Sequence, residues 1–165
     1  MEGRPKPLLV LTSTDRILDI SGWLCLGLLW AITIFAYGNL PEVIPTHFNA
    51  AGQADDEGSK MILFFLPVIG TLCFIGLTVL NYYPQVFNYP SNITAENAQR
   101  QYANAARMIR FLKLSIAFLF SALVFMVYRS AATGSGSIGS WFLPVLVVVF
   151  IIPLGYFTVK AMRNK

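Results

Sequence analysis

The chain has 165 residues, 56% of them hydrophobic and only 12% charged, with a formal net charge of +4. Soluble domains carry about 25% charged residues. That deficit, with a mean hydropathy of +0.62, excludes an ordinary water-soluble domain and points to one small integral membrane bundle.

Residues 1–15 (MEGRPKPLLVLTSTD) mix proline, charge and a short apolar run, and read as a frayed tail or, in the favoured reading, a short segment at the membrane interface. The uncharged run from Ile20 to Leu40 sets a first span over roughly 18–40, near the ~20 residues that cross a ~30 Å hydrocarbon core. It exceeds the ~7–15 apolar residues of a signal peptide, and LPEVIP follows it in place of a small-residue cleavage site.

Residues 40–60 (LPEVIPTHFNAAGQADDEGSK) form a polar loop that holds the only histidine. Pro41 and Pro45 restrict the residues before them and favour an extended path. Along such a path Ile44 and Phe48 point one way and His47 and Asn49 the other. Asn49-Ala50-Ala51-Gly52 reads as a turn. Ser59 then caps the second span and Lys60 anchors it at the interface.

The second span covers roughly 60–83 (from MILFFLPVIG to LNYY). Cys25 and Cys73 fall inside the first two spans, match no metal-binding spacing, and are expected to pack as small apolar groups. A cytoplasmic loop and helix fill 84–108. Thr94 is the expected helix cap with Glu96 in the first turn. No helix breaker follows from Ala95 to Arg129, so one helix of about 50 Å enters the third span, roughly 108–129. Tyr102, Ala105, Ile109 and Leu112 share one face at helical spacing, and Arg100, Asn104 and Arg107 share another. Arg100, Arg107, Arg110 and Lys113 are the candidate face for lipid phosphates or a cytoplasmic partner. Lys113 and Arg129 are expected to snorkel to opposite interfaces. Ala117 and Ser121 are a small-xxx-small pair for close helix contact.

Residues 131–140 (AATGSGSIGS) read as a flexible external turn ending in a helix cap at Ser140. The fourth span covers roughly 140–160, with a kink expected at Pro153. Its start, WFLPVLV, resembles FFLPVIG of the second span, either through duplication of a hairpin or through the few residue types that spans use.

Orientation follows from the basic residues. Arg4, Lys6, Arg16, Arg100, Arg107, Arg110, Lys113, Lys160, Arg163 and Lys165 fall on one side, and only Lys60 and Arg129 on the other. Lys and Arg accumulate in the cytoplasm. The expected fold is therefore an all-α integral membrane protein in a single domain over 1–165. It has four transmembrane helices, N-in/C-in, and a structured extracytoplasmic loop between the first two. Its basic charge serves the lipid bilayer and no nucleic acid.

Catalytic chemistry is poorly served. No Asp, Glu, Lys or His lies centrally in a span, and H-E-x-x-H, G-x-S-x-G and P-loop motifs are absent. His47 with Asp55, Asp56 or Glu57 offers one nitrogen ligand and no EF-hand spacing. The favoured reading has His47 and Asn49 hydrogen-bonded within the loop, the acids solvated at its rim, and no metal, cofactor or catalytic residue. A pH-responsive His47 is the sharper alternative.

The motif P-x-x-I-P-x-H-F-N-x-x-G followed by acids and S-K (Pro41, Ile44, Pro45, His47, Phe48, Asn49, Gly52, Ser59, Lys60) resembles the domain of unknown function 1648 family. That domain is the N-terminal domain of SdpI-like bacterial membrane immunity proteins. FNYPSNITAENAQRQY also resembles members of this group, and the likeness covers roughly the first three spans. The resemblance implies a non-enzymatic, multi-pass protein of the bacterial inner membrane, of immunity or envelope-stress type. It would bind a toxin peptide or a membrane-protein partner at the outer loop through Pro41, Pro45, His47, Asn49, Gly52 and Lys60. The alternative is a membrane sensor or accessory subunit that reads a ligand, metal or pH outside and contacts a cytoplasmic partner. A small transporter comes third, for want of a polar path.

Overall fold

The structure is a computed structural model that describes residues 4–8 and 10–163. Residues 1–3 and Leu9 of the expected interfacial segment, and Lys165 of the basic set, lie outside the described residues. Among the described residues, four helices are long and apolar enough to cross a membrane.

Helix α1 (Ser13–Asn39) opens with a capping box. The Thr12 amide donates to Asp15 Oδ2 at 3.0 Å, and the Asp15 amide donates to Thr12 Oγ1 at 3.3 Å. Two otherwise orphaned amides are satisfied this way, which starts the helix five residues before the apolar run suggests. It stops where Pro41 pushes Leu40 into an extended conformation. Strands β1 (Val43–Phe48) and β2 (Ala54–Ser59) form an antiparallel hairpin. Ser59 caps a 3-10 turn over Lys60–Phe64, which leads into α2 (Phe65–Leu80).

Helix α3 (Ala98–Thr133) spans 36 residues, about 54 Å at ~1.5 Å per residue. It begins later than a Thr94 cap would place it. Thr94 instead heads a closed turn, in which its amide donates to Asn97 Oδ1 at 2.9 Å and the Asn97 amide donates to its hydroxyl at 3.3 Å. The helix also runs past Arg129, to Gly134 in the left-handed region at φ +64°. Helix α4 (Phe142–Arg163) continues through Pro153.

Helix α3 is the central column. Helices α1 and α2 pack on it from one side, and α4 packs mainly on it from another. Leu26, Leu29, Phe74, Ala117 and Val124 form the heart of the core, which extends through Leu40, Leu63 and Val127 to Ile44 of β1. Ala117 and Ser121 are both buried, and the Ser121 hydroxyl donates to the carbonyls of Cys25 (3.3 Å) and Ala117 (2.7 Å). Trp30 Nε1 donates to Thr71 Oγ1 at 3.0 Å, tying α1 to α2 inside the apolar zone. The two cysteines differ: Cys25 packs against the core, whereas Cys73 faces outward. An outward thiol is tolerated because the surrounding surface is apolar throughout.

Candidate functional site

At the hairpin end the loop residues are held by short-range bonds. Ile44 is buried and Phe48 half-buried against the core, which leaves His47 on the outer side. Pro45, which has no amide hydrogen to give, sits at an irregular point of the register. Asn49 Oδ1 accepts from the amides of Ala51 (2.9 Å) and Gln53 (3.1 Å) and closes the turn. Lys60 Nζ donates to the Leu40 carbonyl at 3.1 Å, lies 3.1 Å from Glu42, and stands 4.8 Å from the centre of the Tyr37 ring. It thereby joins the end of α1 to the start of α2. His47 Nδ1 lies 2.5 Å from Asp55 Oδ1, with side chains 69% and 44% exposed. The acids Asp55, Asp56 and Glu57 are exposed, and they belong to strand β2. Among the described residues, no three His, Cys, Asp or Glu side chains converge as metal ligands.

The segment expected to be a flexible external turn is instead docked on this hairpin. The Ala54 amide donates to the Gly136 carbonyl at 2.7 Å, and the Ile138 amide donates to the Gly52 carbonyl at 2.8 Å. Ser137 Oγ donates to the same Gly52 carbonyl at 2.9 Å. Gly52 has φ +75°, and a β-carbon there would lie 2.6 Å from the Gly139 carbonyl oxygen. Only glycine fits that backbone and that approach together. Backbone groups that would otherwise face water find partners far along the chain, between 52–54 and 136–138, and this orders a stretch whose composition alone reads as loose. Between the hairpin and α3–α4 lies a cleft of about 320 Å³, lined by His47, Phe48, Asn49, Leu123, Ile138 and Phe142 among others.

At the opposite end, Asp15 and Asp19 lie one turn apart on α1 and face the cations of α3. Arg107 Nε donates to Asp15 Oδ1 at 2.8 Å, and Arg107 Nη2 to Thr12 Oγ1 at 3.1 Å. Arg110 Nε and Lys113 Nζ donate to the two oxygens of Asp19, at 2.8 and 2.9 Å. Lys113 also donates to Thr78 Oγ1 at 3.1 Å and stands 4.7 Å from the centre of the Phe74 ring. With 2% of its surface exposed, Lys113 does not snorkel to head groups. A carboxylate within the bundle satisfies it better than a climb to the interface. The expected shared face of Arg100, Asn104 and Arg107 also separates: Asn104 is buried with its Nδ2 donating to Phe157 O of α4 at 3.0 Å, Arg107 turns to α1, and Arg100 is exposed.

The N-terminal strap closes this end. Arg4 donates to the carbonyls of Gln85 (2.9 Å) and Phe87 (2.7 Å), and the Tyr102 hydroxyl donates to Pro5 O at 3.0 Å. Tyr89, whose hydroxyl donates to Pro84 O at 2.8 Å, is enclosed there, and burial pushes its phenol up. Reading the sequence for exposed basic groups missed Asp15 and Asp19. The available signal was their i, i+4 spacing opposite cations at 107, 110 and 113, since acids near a span face partners and not lipid.

A protein of Archaeoglobus fulgidus, described as an uncharacterized protein, is 29% identical over 167 residues, covering 93% of this chain and 88% of that protein. No solved structure matches the chain. Residues 24–71, which run from within α1 through the hairpin to the first turns of α2, match the family model of a domain of unknown function (DUF1648), the domain that the loop motif resembles.

Proposed function

We propose that this is a non-enzymatic membrane protein of SdpI-like immunity or envelope-stress type. Its termini lie in the cytoplasm, and its hairpin end lies outside a bacterial cytoplasmic membrane or the archaeal equivalent. The hairpin end receives a toxin peptide or a membrane-protein partner. One observation carries the reading: the motif residues form a platform hydrogen-bonded to loop 134–141, and the platform borders a cleft of about 320 Å³. Pre-formed clefts of ~300–1,000 Å³ with a few polar groups are typical of binding sites. His47 and Asn49 supply the polar groups here, and Phe48, Leu123 and Phe142 the apolar wall.

The sensor reading requires a free cationic face toward the cytoplasm. Of the four candidate cations Arg100 alone is exposed, whereas Arg107, Arg110 (through Nε) and Lys113 are engaged with Asp15 and Asp19, which favours the binding reading. Deleting the gene and challenging cells with secreted peptide toxins from the same and neighbouring strains tests it. Heightened sensitivity, rescued by the wild-type chain and not by a chain with Phe48→Asp in the cleft, is the expected result. Unchanged sensitivity across the panel would count against it.

A further inference from the structure

A second cavity, of about 400 Å³, lies at the opposite end between the N-terminal strap, α1, the end of α2 and α3. Asp19, Arg110, Lys113 and Asn81 form its polar side, while Leu11 and Trp23 belong to its apolar side. Two cations face one carboxylate, which leaves one positive charge in excess. Lys113 is saturated by Asp19, Thr78 and the Phe74 ring. Arg110 is not. It is 8% exposed and donates through Nε to Asp19, and its two Nη groups meet no acceptor among the described residues. Asn81 is equally enclosed, and its Oδ1 has no partner among the described residues. The buried Asn81 Oδ1 left without a donor costs about 1–3 kcal/mol, while Arg110 lines the cavity with unused donors, so the cavity offers a polar guest both donors and an acceptor.

The open edge of a guanidinium is a planar fork that matches the oxygens of a phosphate. The cavity also lies where the apolar parts of α1 and α3 begin. Leu11, Trp23 and Tyr82, each more than 40% exposed, flank it with apolar and amphipathic surface, as groups at head-group depth do. We infer that this cavity binds a phosphate oxyanion on the Arg110 fork, carried by an anionic phospholipid whose chains leave past Trp23 and Leu11.

The test uses the full chain purified in a zwitterionic detergent. Phosphatidylglycerol, phosphatidylcholine and inorganic phosphate are titrated in separate arms, and melting temperature and lipid retained in native mass spectrometry are read. Phosphatidylglycerol is expected to be retained and to raise the melting temperature, and phosphatidylcholine to do neither. Arg110→Lys keeps the charge and removes the fork, so it weakens retention about tenfold or more. Arg100→Gln, outside the cavity, leaves it unchanged. Displacement of the lipid by inorganic phosphate supports the oxyanion and shows that free phosphate also enters. Retention in the presence of phosphate, with the Arg110→Lys loss, assigns the site to the head group. Where Arg110→Lys fails to fold, Leu11→Trp fills the mouth without touching the ion pairs, and retention by that variant overturns the proposal. Equal retention of both lipids, or equal loss in Arg110→Lys and Arg100→Gln, overturns it as well.

Discussion

Lys113 has 2% of its surface exposed, and both it and Arg110 depend on the single carboxylate of Asp19. Removing one partner of an enclosed pair leaves the other charge uncompensated, at ~3–5 kcal/mol. Asp19 is 30% exposed, so water reaches the site, and Asp19→Ala should destabilise the bundle by about 3 kcal/mol, the low end of that range. A melting series in detergent checks this, and adding Lys113→Met to Asp19→Ala should recover part of the loss. At the other end, His47 and Asp55 are a surface pair, worth ~1 kcal/mol or less. Asn49 satisfies two turn amides. Asn49→Ala should therefore lower the melting temperature more than His47→Ala, reversing the weight that a lone histidine draws to itself. The acids of α1 and cations of α3 are each legible in the sequence. Their pairing is not, because it depends on which two helices touch.

Among elements, the connection from α3 to α4 departs most from its composition. Gly, Ser and Thr in residues 131–140 signal freedom, and locally that is all they encode. The order comes from the carbonyl and amide of residues near Gly52, brought alongside only after the helices pack. Gly52→Ala would force a strained backbone, ~1–3 kcal/mol, and a clash with the Gly139 carbonyl. The amides of Ala54 and Ile138 should then exchange with deuterium much faster than in the wild type, while those of α1 stay protected. The start of α3 offers a smaller test. Thr94→Ala removes the acceptor for the Asn97 amide and should cost about 1 kcal/mol in thermal stability. The sequence carries that signal in Thr94 itself. It places the helix three residues early because the same hydroxyl serves a turn as well as a cap.

For the whole molecule, the four long apolar runs are legible from hydropathy alone, since no other structure satisfies backbone groups in lipid so readily. Their arrangement around α3 is less so, because apolar helices carry few distinguishing marks and α4 buries little beyond Phe142, Phe157 and Ala161. The sidedness makes a direct prediction. In a Cys25→Ser, Cys73→Ser background, Ser135→Cys should react with a membrane-impermeant maleimide in intact cells, and Asn92→Cys only after lysis; the reverse pattern would invert the topology.

The docking of loop 134–141 on the hairpin has a mechanical consequence. At that end the two helical pairs are stitched by main-chain bonds, which ionic strength leaves untouched. At the other end α4 is tied to α3 by the amides of Gln101 and Asn104, and α3 to α1 by ion pairs. The hairpin end is thus held by main chain and the terminal end by side chains. Substitutions that remove these pairs should part α1 from α3 at the terminal end while leaving the platform intact.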